Sequence, residues 1–466
     1  MNVFANEGQP DIYRGFERIL VVQRRTESAL EVAEQGRAKA VEHLLASRLG
    51  PEGKCQGSVE PPSLYKIKQI AKEQNSTLVY YSLIYDYQQF YEMSRLQIGL
   101  NTLYAYATEL FIWVISPTGK ISFRQVDLQS LWYEDNTSLA GLVRSVRELI
   151  NVGYSDRERL LCRQQLQFLY QILLEPIADL LPKDPQKRVT IIPQDFLFLV
   201  PFAALIDSNG QYPIEKHTLL TAPSIQALEV THRQRKPIVE RELALQTVGS
   251  NSSPHGCATL ESPQECLVVG NPTMPSICLE FGEPPVQLLQ IPGTKLEAEA
   301  IAQVLQTQPI TGDRATKSAV LQKMRSADII HLATHAFLDD IEGLQSAIAL
   351  APSPNTHGLL TINDILHLNL QAQLVVLSGC DTGRGRIWGD GVVELSQAFI
   401  TAGVPSLLMS LWLPPTTSNL DFMKEFYHQF RQTCDKAQSL RTAMLTTMEQ
   451  YPNPREWAAF TLIGEA

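Results

Sequence analysis

The chain has 466 residues, 44% of them hydrophobic and 19% charged. That length accommodates two or three cores at the usual ~100–200 residues per domain, and the composition excludes wholesale disorder or a small staple-dependent scaffold. A formal net charge of −10 gives an acidic surface that repels phosphate backbones, so direct nucleic-acid binding has no electrostatic support.

The residues after Met1 form no basic-then-apolar leader. The runs IIHLATHAF and LVVLSGC fall well short of the ~18 residues that span a bilayer. A cytoplasmic protein with no membrane partner is expected. Cys55, Cys162, Cys257, Cys266, Cys278, Cys380 and Cys434 are scattered without a C-x-x-C pair, which argues against a disulfide framework or a zinc ribbon.

In chain order, SALEVAEQGRAKAVEHLLASRLG sets Ala29, Leu30, Ala33, Arg37, Ala40, Val41, Leu44 and Leu45 close to helical spacing, which predicts an amphipathic helix. Pro51, Gly53, Gly57, Pro61 and Pro62 mark a loop, and a new domain is expected from about Ser63 with the helix LYKIKQIAKEQ and the strand STLVYYSLI. ELFIWVIS and KISFRQVDL form a hairpin around Pro117, Thr118 and Gly119. Helices follow from about Ser138 to Leu181, then a buried strand in RVTIIPQDFLFLVPFAAL with a turn at Pro193 to Asp195, and a strand and helix in TLLTAPSIQALEVTHR. From about Arg235 to Ser262 small and polar residues mark a linker.

Beyond about Gln264 short apolar strands alternate with amphipathic helices: ECLVVGNPT, KLEAEAIAQVL, IIHLATHA, QLVVLSGC, VVELSQAFITAG, PSLLMSLW and LDFMKEFYHQFRQ. This alternation predicts a parallel sheet covered on both faces, with ligands at the carboxyl ends of its strands. IIHLATHAF carries His335 at its exit, and QLVVLSGC ends in Cys380 ahead of the glycine-rich DTGRGRIWGDG. On neighbouring parallel strands the two side chains would share one crevice, as nucleophilic catalysis requires. The Cys380 thiolate would be the nucleophile, with the backbone N–H of Cys380 and of Ala336 as oxyanion donors. Taken singly, Cys380 also reads as a small buried hydrophobe. His331, four residues before His335, lies on the same face by strand alternation and is a second candidate base. A metal set of His331, His335 and Asp339 has no familiar spacing.

HLATHAF, LSGCDTGRGRIWGDGVVELSQAFITAGVPSLLMSLW and the terminal EWAAFTLIG resemble the CHAT domain, the caspase-like peptidase module named for caspase, HetF and tetratricopeptide association. That family carries a strand ending in His before a small residue and a strand ending in S-x-C-x-T-G. ALEVAEQGRAKAVEHLLASRL is similar to the helix that closes tetratricopeptide arrays in such proteins. The resemblance covers nearly the whole chain. It implies His335 as general base, Cys380 as nucleophile, and hydrolysis of a protein substrate through an acyl-enzyme. The dyad requires no cofactor.

The implied fold class is α/β: a caspase-hemoglobinase-like three-layer α/β/α domain at 264–466, a linker at 236–263, an α+β region at 63–235, and N-terminal helices at 1–50 as the end of a tetratricopeptide array. No repeat of about 34 residues recurs, so the chain is expected either to be part of a longer repeat protein or to work beside a repeat-bearing, activating partner. Some related peptidases hold an acid two residues before the nucleophile to grip a basic side chain. Here that position is Ser378, and Arg or Lys preference is not supported from it. Asp381 and Asp390, with Asp339 and Asp340, are candidates to supply charge near the crevice, or are ordinary turn formers. Two rivals remain: a catalytically silent caspase-like signalling adaptor, and nucleotide binding by the glycines after Cys380. Their spacing matches neither familiar phosphate-binding loop.

Overall fold

In the computed structural model the described residues are 8–49, 62–86, 107–133, 137–152, 155–235, 265–277, 284–337, 346–380 and 389–466; at 8–11, 40–49, 380 and 389–390 the backbone alone is described. They fall into two compact units, Met1–Gln226 and Ala227–Ala466.

The first unit opens with α1 (Gly8–Val22) and α2 (Thr26–Leu49), joined by a turn in which Arg24 adopts a positive φ of 61°. Tyr13 lies against Gly36, where an added Cβ would stand 2.7 Å from the Tyr13 Cβ, so only glycine lets the two helices approach this closely. Next come α3 (Leu64–Glu73), β1 (Ser76–Tyr85), β2 (Ala107–Ile115), β3 (Ile121–Asp127), α4 (Leu139–Val152), α5 (Asp156–Leu173), β4 (Arg188–Ile192) and β5 (Thr218–Thr221). The sheet order is β5-β4-β1-β2-β3, parallel through β5, β4 and β1 and antiparallel beyond. Gly119 at φ +82° turns the β2–β3 hairpin where the sequence places it. A capping box between Ser155 and Glu158 starts α5.

Polar groups fasten α1 and α2 inside this unit. The Arg37 guanidinium donates to the carbonyls of Pro193, Pro223 and Tyr81 and lies 4.2 Å from the centroid of the Tyr80 ring. Glu34 accepts from the Gln226 amide at 2.7 Å, and Arg14 pairs with Asp195, which also accepts from the Tyr85 hydroxyl. Burial pushes the Glu17 carboxyl up to about 8 and that of Glu34 up to about 6.

The second unit contains β6 (Cys266–Pro272), β7 (Ser276–Ile277), β8 (Val286–Gln287), α6 (Pro292–Val304), β9 (Ile310–Gly312), α7 (Lys317–Met324), β10 (Ile329–Phe337), β11 (Ala347–Ala349), β12 (Leu359–Thr361), α8 (Ile362–Leu366), β13 (Leu374–Cys380), α9 (Gly389–Thr401), β14 (Ser406–Ser410), α10 (Thr416–Thr433), α11 (Lys436–Gln450) and β15 (Phe460–Gly464). Its parallel core runs β9-β6-β10-β13-β14. The all-parallel expectation holds for this core alone: β15 pairs antiparallel with β14, and β11 and β12 extend antiparallel from the end of β10.

Right-handed crossovers decide which face each helix covers. From β6 the chain moves outward to β9, and from β9 it moves back across to β10, β13 and β14. α6 therefore covers one face, and α7, α8 and α9 the other. α10 packs beside α6, giving three layers. The chain leaves β6 and β10 toward opposite faces, so a crevice opens at their carboxyl ends.

Among the described residues no helix is long and apolar enough to cross a membrane. Cys434, at the end of α10, is disulfide-bonded. The scattered cysteine spacing gave no sign of this bond.

Candidate active site

β10 and β13 are neighbours and parallel. Their register runs from Ile329↔Leu374 to Ala333↔Ser378, then resumes at Ala336↔Cys380. Between these pairs β10 advances by three residues and β13 by two, so a bulge sits at Thr334–His335. Such bulges re-aim side chains and interrupt strand alternation. The bulge meets a matching irregularity on β13: Gly379 has φ +117°, and an added Cβ would lie 2.7 Å from the Thr334 carbonyl oxygen. Its N–H donates to Ser410 Oγ at 3.2 Å. Cys380 is thus the register partner of the residue after His335.

His335 is buried, and its Nε2–H donates to the carbonyl of Leu289 at 2.9 Å. That bond leaves the neutral ring with its lone pair on Nδ1. Leu289 is held from both sides. The Leu288 side chain is buried with Met274, Ile277 and Ala349, and the Ile291 amide donates to Asn271 Oδ1 at 3.0 Å. Asn271 itself adopts φ 42° and its amide donates to Thr294 Oγ1. Phe337 stacks on the His335 ring with centroids 6.1 Å apart. Sequence reasoning missed Leu289, because a backbone carbonyl leaves no side-chain signal.

His331 is engaged elsewhere. It is fully buried, with Nδ1 3.0 Å from the Tyr427 hydroxyl and Nε2 3.3 Å from Glu297 Oε1. Ser378 is buried too, its Oγ 3.5 Å from Asn419 Nδ2. Asp390 is placed by its backbone at the start of α9, while Asp381, Asp339 and Asp340 lie outside the described residues. Burial pushes the Cys162 thiol up to about 11 and that of Cys266 to about 12, so both remain protonated at neutral pH. Among the described residues no group of His, Cys, Asp and Glu is arranged to hold a metal ion.

A parallel core covered on both faces, with a crevice at its strand ends and a histidine held there, is the three-layer α/β fold expected of a caspase-like domain. The separase–securin complex of Saccharomyces cerevisiae shares it, with a TM-score of 0.56 at 8% identity over 98% of this chain and 36% of that one. Residues 163–465 match the CHAT domain family, and the chain belongs to that family. Tetratricopeptide repeat protein 28 of Mus musculus is 24% identical, the alignment covering 98% of this chain and 22% of that protein. The Homo sapiens protein of the same name is 26% identical over 75% of this chain and 15% of its own length. The chain therefore spans less than a quarter of these curated relatives.

Proposed function

We propose that the chain is a cysteine endopeptidase acting on a protein substrate in the cytoplasm, with Cys380 as nucleophile and His335 as general base. One observation carries this: the strand ending in Cys380 runs in register with the bulge bearing His335, whose tautomer the Leu289 carbonyl fixes. Nδ1 of His335 takes the proton from the Cys380 thiol, and the thiolate forms a bond to the scissile carbonyl carbon. The N–H groups of Ala336 and Cys380 stabilise the oxyanion. As the C–N bond breaks, the imidazolium returns its proton to the departing amine. Water then hydrolyses the thioester, with His335 accepting its proton. Ser378, facing Asn419 rather than carrying an acid, supports no preference for a basic residue. Asp381 and Asp390 remain candidates for shaping substrate preference.

An activating protein partner is part of this reading. Ile12, Phe16, Ile19 and Val22 line one face of α1 and are 51% to 78% exposed, an unusual apolar stripe for a helix already packed on its other side. A tetratricopeptide helix, in a partner or a longer form of this polypeptide, is the occupant we propose, in keeping with the name of the relatives. The same stripe favours the second reading, a catalytically silent adaptor. Incubation with a peptide library, read by mass spectrometry, separates the two. Cleavage by wild type but not by Cys380→Ala or His335→Ala supports the peptidase; an intact library from all three, both alone and with a tetratricopeptide-bearing partner present, supports the adaptor.

A further inference from the structure

The two strands of the proposed dyad are joined behind the crevice by a buried polar chain spanning four elements. From β10, His331 meets Tyr427 of α10 through Nδ1 and faces Glu297 of α6 through Nε2. Glu297 Oε2 accepts from Asn419 Nδ2 of α10 at 2.9 Å, and the same Nδ2 approaches Ser378 Oγ of β13 at 3.5 Å, the outer limit of a hydrogen bond. All five residues are at least nine-tenths buried. The Tyr427 hydroxyl and His331 Nδ1 share a hydrogen bond, whereas Nε2 and Glu297 Oε1 stand 3.3 Å apart without hydrogen-bond geometry. Burial raises the Tyr427 hydroxyl well above the ordinary tyrosine value, so it remains a donor.

Burying a carboxyl group this deeply is costly unless it is hydrogen-bonded. An apolar α6–α10 seam would fill the same space without that cost. Hydrogen bonds from α10 to both strands, Tyr427 to His331 and Asn419 to Ser378, give what apolar packing lacks, a fixed set of distances through directional bonds. The polar chain ends on Ser378, adjacent to Gly379 and two residues before Cys380, and on His331, at the base of the strand that bulges at Thr334–His335. We propose that Glu297, Asn419, His331 and Tyr427 are positioning residues that hold the carboxyl ends of β10 and β13 at the separation the His335–Cys380 pair requires. This rests on the dyad reading, and deepens it by assigning residues that touch no substrate.

The test is the rate at which iodoacetamide alkylates Cys380 as a function of pH, read by mass spectrometry on the full chain. Wild type is expected to react at neutral pH faster than an ordinary thiol of pKa ~8.5, with His335→Ala restoring the ordinary profile. Asn419→Ala and Glu297→Gln are expected to move the profile toward that of His335→Ala and to slow the neutral-pH rate on the order of tenfold, since small misplacements cost up to about a hundredfold. Ser378→Ala is expected to act in the same direction and Ser378→Thr, which keeps the hydroxyl, to restore the wild-type profile. This pair serves if Asn419→Ala does not fold. A folded Asn419→Ala or Ser378→Ala protein with the wild-type profile overturns the positioning role and leaves the dyad intact. A wild-type profile indifferent to His335→Ala overturns the dyad and the positioning role together.

Discussion

The Leu289 carbonyl accepts a hydrogen bond from His335 Nε2 at 2.9 Å, across the crevice where the chain leaves β6 for one face of the sheet and β10 for the other. The contact depends on topology: the segment that turns into α6 passes the end of β10 because the two connections diverge there. A backbone acceptor is hard to lose by side-chain substitution and fixes which imidazole nitrogen carries the proton.

In protein labelled with nitrogen-15 at histidine, neutral His335 is therefore expected to show the Nε2–H tautomer. A neutral ring protonated on Nδ1 would contradict the assignment of Nδ1 as the basic nitrogen.

Gly379→Ala would place a Cβ 2.7 Å from the Thr334 carbonyl oxygen at φ +117°. The residue must then leave this backbone conformation or push the bulge away, a strain of about 1–3 kcal/mol. A lower unfolding midpoint is expected, together with slower alkylation of Cys380. Unchanged stability would show that the bulge yields freely.

Arg37 satisfies three carbonyls and stands beside buried Glu34. Arg37→Ala leaves these acceptors and a buried carboxyl uncompensated, and a loss of about 3 kcal/mol is expected in denaturant unfolding of the first unit. A change under about 0.5 kcal/mol, the scale of an ordinary surface substitution, would show that water replaces the guanidinium.

Glu17 and Glu34 make the stability of the first unit depend on pH. Burial raises both above 4.5, to about 8 and about 6 against the lowering effect of Arg14 and Arg37. The folded unit therefore holds more protons than the unfolded chain across this window. Their contribution is fully present below about 4.5 and is lost as pH rises through about 6 and then about 8. Glu17→Gln, which mimics the protonated form, is expected to flatten the fall in melting temperature between pH 5 and 8. An equal slope in wild type and variant would count against a raised Glu17.

Much of this was legible in the sequence, for physical reasons. The hairpin at Pro117 to Gly119, the strand carrying His335 and the strand ending at Cys380 announce themselves, because apolar runs closed by glycine and polar residues have few alternatives to buried strands. The bulge at Thr334–His335 was not legible. IIHLATHAF reads as an unbroken strand, and alternation gives no hint of the interrupted pairing between Ala333 and Ala336. The antiparallel β15 was also hidden, since FTLIG has the same apolar character whichever way it runs. Glu297 left a signal that went unused: it lies within the buried stripe of Thr294, Ala298 and Ile301 on α6, where a charge needs a partner.

The central claim is an assembled His335–Cys380 pair, and labelling with acyloxymethyl-ketone peptide probes tests it most directly, the modified residue being identified by mass spectrometry. Labelling confined to Cys380 in wild type, and abolished in both Cys380→Ala and His335→Ala, is the predicted result. Labelling of Cys380 that persists undiminished in His335→Ala would contradict it.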